Sequence, residues 1–267
     1  MISLSLIRNF TNPPSGTYTQ FNQAFILFSC KAKMQFLFLG KKSNQSNQMK
    51  STLKKPVAIV GYSGHAYVVV DILLNSGRLV THYCDNEQKE LNPYHLNYLG
   101  KEVDVINRLK DFDYFVCVAH NGIREKIHTN LSKLLGNPIS AIHPSAVISP
   151  SVIMGDGVMI SANATLNPLV TLGRGVICNT SSSIDHECVI EDFCHLAPGV
   201  VLCGNVKVGK GSFIGANSVV RQGIVIGKNV TIGAGTVIVK DVPDGVTIVG
   251  NPARQLVKKN AEKLKAA

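Results

Sequence analysis

Apolar residues recur at every sixth position through nearly half of this chain. The frame holds from residue 142 to residue 238, seventeen positions in succession. Because 45% of the chain is hydrophobic, a run of this length arises by chance roughly once in a million in a given frame, so we interpret the repeat as structural. The positions are Ile142, Ile148, Met154, Ile160, Leu166, Leu172, Cys178, Ile184, Ile190, Leu196, Leu202, Val208, Ile214, Val220, Ile226, Ile232 and Ile238.

A second column, four positions further on in each hexad, is always small or β-branched. Two inward positions in every six fit neither the period of a helix nor the alternation of a flat strand. A six-residue repeat predicts a parallel β-helix, in which each hexad is a short strand plus a corner. With three hexads per triangular coil, residues eighteen apart stack at roughly 4.8 Å. The second column is Ala146, Val152, Val158, Ala164, Val170, Val176, Ser182, Cys188, Cys194, Val200, Val206, Ser212, Ser218, Ile224, Val230, Thr236 and Val242.

Glycines mark the predicted corners of these coils. A corner requires either a positive φ or a close approach of two backbones, and glycine accepts both at the lowest cost. The corner glycines are Gly155, Gly173, Gly209, Gly215, Gly227 and Gly233.

The region before the repeat alternates between strand and helix patterns. This alternation predicts a small, Rossmann-like, parallel α/β domain of about 80 residues, which binds ligands beyond the carboxyl ends of its strands. The predicted elements are a strand at 56–60, a glycine turn at 61–65, a helix at 66–75, a strand at 79–84, a strand at 114–119, a turn at 120–122 and a helix at 123–135.

Polar and small residues lie at the predicted ligand-binding edge of this domain. A helix amino-terminus suits a diphosphate, and an acid after the second strand suits a ribose or base. The three-glycine dinucleotide motif is absent, and the turn alone fits a ligand loop or a plain connection equally well. Together these features favour a nucleotide-linked ligand over a dinucleotide cofactor. The candidate residues are Ser63, Gly64, His65, Asp85, Asn86 and Ala119; His82, His95 and His128 are interpreted as surface or helix residues without a role.

Charge and composition divide the chain further. The formal net charge is +10, but residues 1–48 carry five of the basic residues and no acid. The remaining charge is modest, so a nucleic-acid partner is not favoured. We expect residues 1–48 to be a poorly ordered or spurious extension, with the functional chain beginning at Met49. The predicted domains are 49–138 for the α/β domain and 139–253 for the β-helix, with a tail at 254–267.

The seven cysteines form no CxxC pair and show no metal-finger spacing. Cys178, Cys188 and Cys194 fall in the inward columns, where a thiol acts as a small hydrophobe. We therefore expect reduced core cysteines in a cytoplasmic protein. No apolar stretch has the length needed to span a bilayer, and we expect neither a membrane partner nor a metal.

The stretch from 179 to 199 is the richest in reactive side chains. His186 occupies an outward position beside the inward Ile184, and Asp185 and Glu187 flank it. An acid that holds one ring nitrogen as a donor leaves the other free as a base, and an ordinary histidine pKa of about 6.5 suits work near neutral pH. The alternative is an exposed histidine with solvated acidic neighbours.

Six motifs in the chain resemble the hexapeptide-repeat sugar acetyltransferases. That group includes UDP-4-amino-sugar and perosamine N-acetyltransferases and sialic acid O-acetyltransferases. The resemblance implies a left-handed β-helix; general crossover rules alone favour the right hand. The matching segments are Gly-Tyr-Ser-Gly-His at 61–65, Asn-Gly-Ile-Arg at 121–124, His-Pro-Ser-Ala-Val-Ile-Ser-Pro at 143–150, Asn-Thr-Ser-Ser at 179–182, Asp-His-Glu-Cys at 185–188 and Gly-Asn-Pro-Ala at 250–253.

The resemblance also implies roles for individual residues. His186 matches the general base of the family, and Glu187 matches the acid that raises its basicity. His195 matches a histidine that contacts acetyl-CoA, the cosubstrate. The Ser-Gly-His turn and the acid after the second strand match contacts to a nucleotide sugar, and the family precedent is a homotrimer.

The eighteen-residue coil adds three candidate residues for the coenzyme. Gly204 lies one coil above His186, where a bare backbone lets an acyl group approach and its N–H is placed to stabilise an oxyanion. Ala216 and Ala234 form a column of small residues that suits an extended pantetheine arm. All three are equally compatible with plain corner residues.

Together with these observations, the family resemblance implies N-acetylation of a nucleotide-linked amino sugar by acetyl-CoA, with His186 as the base. O-acetylation of a sialic acid or similar sugar is the alternative within the enzyme class. A zinc hydratase requires three histidines that meet across a subunit interface, and His186 and His195 lack a third. A non-catalytic sugar-nucleotide scaffold remains the alternative outside catalysis.

Overall fold

The computed structural model describes residues 54–256, which belong to one compact unit. The prediction that residues 1–48 form an extension lies outside the described residues, and so does most of the predicted tail. No helix within 54–256 has the length and apolar character that crossing a membrane requires.

The first part of the described chain is a parallel α/β domain. Its four strands pair in the order β3-β2-β1-β4, all parallel, and every residue of β1 is buried. The helices cover the sheet through buried faces that include Val69, Leu73 and Leu131. The elements are β1 (Val57–Val60), α1 (Gly64–Asn75), β2 (Val80–Cys84), β3 (Asn97–Gly100), α2 (Ile106–Leu109), β4 (Asp113–Val116) and α3 (Asn121–Leu135).

The α/β domain differs from its sequence prediction at three places. Strand β3 and the short helix α2 were not predicted; β3 is an edge strand with Leu99 as its one buried residue, so no apolar run marks it. Strand β4 ends at Val116 rather than at 119. The chain then leaves the sheet, and Cys117, Val118 and Ala119 line a cavity at the strand ends instead.

The second part is a triangular prism of very short strands. Each strand is two residues long up to β21, and corners separate the strands. In chain order they are β5 (Ala141–Ile142), β6 (Val147–Ile148), β7 (Ile153–Met154), β8 (Met159–Ile160), β9 (Thr165–Leu166), β10 (Thr171–Leu172), β11 (Ile177–Cys178), β12 (Ser183–Ile184), β13 (Val189–Ile190), β14 (His195–Leu196), β15 (Val201–Leu202), β16 (Lys207–Val208), β17 (Phe213–Ile214), β18 (Val219–Val220), β19 (Val225–Ile226), β20 (Thr231–Ile232), β21 (Val237–Ile238), β22 (Thr247–Val249) and β23 (Arg254–Gln255).

Three parallel walls make up the prism, and successive strands visit them in turn. The eight-stranded wall runs from β5 to β23, the six-stranded wall from β6 to β21 and the five-stranded wall from β7 to β19. Within a wall, Ile177 pairs with His195 and Ser183 with Val201, each eighteen residues away, so the predicted coil length is confirmed. Strand β23 adds to the eight-stranded wall in antiparallel fashion, so residues 254 and 255 belong to the prism and not to the predicted tail.

Both predicted inward columns form the core of the prism. From Ile160 to Ile238 every residue of the first column is at most 2% exposed, and Cys178, Cys188 and Cys194 are fully buried. The first coil departs from the prediction, because Met154 is 36% exposed. Within the described part of the chain, no coil lies beneath it to complete the packing.

The predicted corner glycines serve close packing rather than a positive φ. A Cβ on Gly155 would lie 2.7 Å from the backbone nitrogen of Arg174 in the next coil, and one on Gly215 would lie 2.5 Å from that of Ala234. Contacts this short are essentially never seen for a real Cβ, so these positions require glycine. Positive φ angles occur two residues further on, for example at Gly157 and Gly175.

The α/β domain packs against the eight-stranded wall. Ala141, Met159 and Ile177, which point outward from that wall, share a hydrophobic cluster with the residues of α1. Helix α3 contributes His128, which is 2% exposed and meets Phe193 edge to face. His128 therefore lies on a helix, which is one of the two predicted alternatives, and it is buried rather than at the surface.

Candidate active site

A cavity of about 260 Å³ opens at the carboxyl ends of strands β1, β2 and β4. Of the six residues predicted there, only Gly64 is not part of the lining; it is the first residue of α1. Sequence reasoning missed Glu102, Val118 and Ile123, because their places depend on how loops return to the sheet. The predicted residues that line the cavity are Ser63, His65, Asp85, Asn86 and Ala119.

Two backbone hydrogen bonds and a lysine hold the carboxylate of Asp85 in place. It accepts hydrogen bonds from the backbone N–H of Tyr62 at 2.9 Å and from that of Asn86 at 2.7 Å. Lys89 Nζ lies 3.3 Å from the same carboxylate. Asp85 therefore fixes the glycine turn against the end of β2 and gives this side of the cavity its shape.

His65 places an unused polar atom at the cavity. Its Nε2 is buried and has no hydrogen-bond partner among the described residues. Burial, followed by the nearby charge of Arg124, lowers the pKa of His65 to about 4. The ring is therefore neutral near pH 7, and a buried atom without a partner carries a cost that a bound ligand can remove.

His195 lies on the eight-stranded wall, enclosed between the prism and the α/β domain. It is 7% exposed, and its Nδ1 lies 3.4 Å from the carbonyl oxygen of Ala119. Its Nε2 lies 3.4 Å from Nδ2 of Asn179. Since a carbonyl only accepts, Nδ1 carries the proton. Burial, followed by Arg124, lowers the pKa of His195 to about 3, so the ring stays neutral.

His186 lies in the opposite kind of environment, at an open corner. Its side chain is 48% exposed, and its Nδ1 lies 3.0 Å from Oε2 of Glu187. The carboxylate accepts, so Nδ1 is the donor and Nε2 is left with a free lone pair. The backbone N–H of His186 donates to Oδ1 of Asp185 at 2.8 Å, and Asn167 Nδ2 donates to the same oxygen at 2.8 Å.

Gly204 makes room for the imidazole of His186. A Cβ at residue 204 would lie 2.5 Å from Cε1 and 2.6 Å from Nε2 of that ring. The imidazole of His186 therefore occupies the space that a side chain at residue 204 would take. Any side chain at 204 would push the ring away from its place.

The cavity and His186 are at opposite sides of one chain. His186 lies in the connection from β12 on the six-stranded wall to β13 on the five-stranded wall. This corner is the one that does not touch the eight-stranded wall, where the α/β domain packs. Ala216 and Ala234 stack at a different corner, between the eight-stranded and six-stranded walls. One chain therefore does not bring its predicted substrate residues to its predicted base.

Comparison with known proteins gives matches over both parts of the chain. Residues 56–131 match the family model described as the PglD N-terminal domain. Residues 187–222 match the bacterial transferase hexapeptide model, and residues 205–240 match the hexapeptide repeat of succinyl-transferase.

Two curated relatives and one solved structure illustrate the likeness. The GDP-perosamine N-acetyltransferase of Escherichia coli O157:H7 is 34% identical over 54% of this chain and 67% of its own. The UDP-N-acetylbacillosamine N-acetyltransferase of Bacillus subtilis strain 168 is 33% identical over 40% of this chain and 52% of its own. The acetyltransferase domain of PglB from Neisseria gonorrhoeae FA1090, in complex with acetyl coenzyme A, is 36% identical with a TM-score of 0.73, over 76% of this chain and all of that chain.

These matches confirm the predicted fold class, a small Rossmann-like α/β domain followed by a left-handed parallel β-helix. The predicted family resemblance is confirmed as well.

Proposed function

The chain belongs to the sugar N-acetyltransferases that join a PglD-type N-terminal domain to a hexapeptide-repeat β-helix, and from this we propose that it moves an acetyl group from acetyl-CoA to the amine of a nucleotide-linked amino sugar. We assign nucleotide-sugar binding to the α/β domain, 49–138, and acetyl transfer to the β-helix, 139–253. Both substrates are water-soluble, which fits a cytoplasmic enzyme.

The observation that carries this proposal is the His186–Glu187 pair. With Nδ1 donating to Glu187 at 3.0 Å, Nε2 is free to accept a proton from the attacking neutral amine as the amine nitrogen bonds to the thioester carbonyl carbon. Glu187 then stabilises the imidazolium. Collapse of the intermediate breaks the carbon–sulfur bond, and His186 returns the proton to the departing thiolate of coenzyme A.

We propose that the cavity of the α/β domain holds the nucleotide part of the substrate. Ser63, Gly64 and the helix that follows present backbone N–H groups suited to a diphosphate. His65 offers its unpartnered Nε2. Asp85, Asn86 and Ala119 define the rest of the cavity. A polar ligand there would supply the hydrogen bond that His65 lacks.

We assign the coenzyme to the prism, with its acetyl group close to His186 and the N–H of Gly204 facing the oxyanion. No hydrogen bond from the Gly204 N–H is formed within the described part of the chain. Ala216 and Ala234 offer a smooth surface for the pantetheine arm. His195 remains a predicted coenzyme contact, although its buried place beside His65 and Ala119 suits the nucleotide-sugar side better.

We propose that the working enzyme is a homotrimer in which each active site draws on two chains. The cavity and His186 lie on opposite sides of one chain, so a substrate held in one cavity must reach the base of a neighbour. The six-stranded and five-stranded walls expose apolar residues that a neighbouring prism would cover, among them Val189, Val201 and Val225. A closed ring of three satisfies both conditions.

The central experiment measures release of free thiol from acetyl-CoA with a panel of acceptors. The panel contains GDP-perosamine, a UDP-4-amino-4,6-dideoxy sugar and free sialic acid. We expect turnover with a nucleotide amino sugar and a loss of about a hundredfold or more in kcat for His186→Ala. Turnover within about threefold of the wild type would show that His186 is not the base.

The same panel distinguishes the alternatives. A product whose acetyl group is removed by mild alkali is an ester and identifies an O-acetyltransferase. Nucleotide-sugar binding without acetyl-CoA binding in calorimetry identifies a scaffold. Zinc in the purified protein, with hydratase activity, identifies the metal enzyme.

A mixing experiment tests the shared active site. His186→Ala and His65→Ala chains, each inactive or nearly so, are co-expressed with different tags and purified through both. Each trimer that carries both tags places an intact cavity against an intact neighbouring base at one of its three sites, so activity should return to about a third of the wild-type level. If each site lies within one chain, the mixed trimers stay inactive.

A further inference from the structure

Arg124 is a buried cation that joins the two parts of the chain. It projects from α3, is 1% exposed, and uses all of its N–H groups. Its acceptors are the oxygens of Gly175, Phe193 and Cys194 on the prism, at 2.8, 2.9 and 3.3 Å, those of Val118 and Ala119 beside the cavity, at 3.0 and 2.8 Å, and Oδ1 of Asn121 at 2.9 Å.

Stability alone is a poor explanation for this arrangement. Every acceptor of Arg124 is a neutral oxygen, and no carboxylate within residues 54–256 forms an ion pair with it. Burying a charge without a counter-charge costs several kcal/mol, and well-packed apolar side chains often join two elements more cheaply. The same helix also reaches the prism without a buried charge, because Asn121 Nδ2 donates to the carbonyl of Gly211 at 2.8 Å.

Two of the acceptors, the carbonyl oxygens of Val118 and Ala119, show which part of the cavity the guanidinium of Arg124 holds in place. Strand β4 ends at Val116, so the carbonyls of Val118 and Ala119 lie beyond the sheet; among the described residues no backbone N–H donates to them. Arg124 supplies their partners. Both residues line the cavity, and the Ala119 oxygen also faces Nδ1 of His195 at 3.4 Å. The edge of the cavity therefore depends on one side chain that is anchored in two coils of the prism.

We infer that Arg124 is a positioning residue for nucleotide-sugar binding, and that its guanidinium holds the Val118 and Ala119 edge of the cavity at a fixed place on the prism. The inference rests on the proposed function, since it assigns the nucleotide sugar to this cavity. Lysine keeps the charge but lacks the planar fork that reaches several carbonyls at once.

The test compares Arg124→Lys with the wild type in the thiol-release assay, with the acceptor that the panel identifies. We expect KM for the nucleotide sugar to rise about tenfold or more, while KM for acetyl-CoA stays within about twofold. Arg124→Met should raise KM for the nucleotide sugar further. If Arg124→Met does not fold, Asn121→Ala, which removes one anchor of the guanidinium, takes its place with a smaller expected rise.

Glu125→Gln is the matched control. Glu125 pairs with Lys210 across the same helix–prism contact at 2.6 Å, but both side chains are well exposed, so both KM values should stay within about twofold of the wild type. Equal rises in both KM values for Arg124→Lys, or a lower melting temperature with both KM values unchanged, would overturn the inference and leave Arg124 a structural residue. Failure of the wild type to release thiol with any acceptor would instead refute the proposed function.

Discussion

Two histidines nine residues apart in the chain occupy opposite environments on the prism. His186 is half exposed at an open corner and hydrogen-bonds to Glu187. His195 is enclosed beneath the α/β domain, where burial lowers its pKa to about 3. One ring has a carboxylate to stabilise its charged form, whereas the other has the cation Arg124 nearby.

This difference separates two tasks that histidine performs. A group that exchanges a proton in each turnover requires a charged form that its surroundings tolerate. The surroundings of His186 meet that condition and those of His195 do not. His195 is suited instead to fixed hydrogen bonds with Ala119 and Asn179. The hexad repeat decides this outcome, because a shift of nine residues moves a side chain from a corner to the face of a different wall.

Gly204→Ala is the sharpest way to displace the imidazole of His186 without replacing His186 or Glu187. The added Cβ would lie 2.5 Å from the imidazole of His186, and Gly204 does not have a positive φ that would exclude alanine. We predict a loss of about a hundredfold in kcat, because a displacement of about 1 Å in a reacting group costs that much. Thiol release measures the effect, and circular dichroism reports on folding.

Gly122→Ala serves as the control for that substitution. A Cβ at residue 122 would meet Cε1 of His120 at 3.6 Å, an ordinary contact. Its kcat should stay close to that of the wild type. If Gly204→Ala behaves like Gly122→Ala, the imidazole does not work from the position seen here.

Glu187→Gln tests the charge beside the ring. Glutamine keeps an oxygen that accepts from Nδ1, but it removes the negative charge that stabilises the imidazolium. We predict a loss of about tenfold in kcat with little change in KM for acetyl-CoA. Glu191→Gln, which alters another carboxylate of the same coil, should leave kcat unchanged. A Glu187→Gln enzyme as fast as the wild type would contradict the role of the pair.

The fold was largely predictable because its information is local. Each hexad specifies its own strand and corner, so the frame from Ile142 to Ile238 predicted the prism from β5 to β21. His186 and Glu187 were also accessible, since they are neighbours in the chain. The edge strand β3 was not, because one buried residue, Leu99, gives no periodic signal.

The contact between the α/β domain and the prism could not be predicted from such local patterns. Arg124 meets Gly175 and Phe193, which lie 51 and 69 residues away. No repeat or motif links those positions, and an arginine in a helix ordinarily faces water. The place of His195 beneath Ala119 depends on the same long-range packing. The position of His195 in the hexad repeat therefore did not reveal which residues surround it.

Acid should destabilise the folded chain through its two buried histidines, His195 and His65. The folded pKa of His195 is about 3 and that of His65 about 4, below the ordinary value of about 6.5. Below pH 6.5 the unfolded chain therefore binds more protons than the folded one, and the free energy of unfolding falls as the pH falls. Each histidine contributes at most about 1.4 kcal/mol per pH unit.

Denaturant unfolding of His195→Gln between pH 6.5 and pH 5 tests this linkage. One of the two histidine contributions is removed, so the free energy of unfolding should fall less steeply with acid than in the wild type. The double variant with His65→Gln should flatten the dependence further. An unchanged slope in both variants would show that these rings are not held neutral by burial.

The smallest effect is expected at the other acid beside His186, and it decides which of the two neighbours assists the ring. Oδ1 of Asp185 accepts from the backbone of His186 and from Asn167, and these hydrogen bonds lower the pKa of Asp185. Asparagine retains that oxygen, so we predict that Asp185→Asn changes kcat by less than about twofold, whereas Asp185→Ala, which frees the corner, lowers it about threefold. A larger loss for Asp185→Asn than for Glu187→Gln would reverse the assignment, since charge at residue 185 would then matter more than the carboxylate that contacts Nδ1.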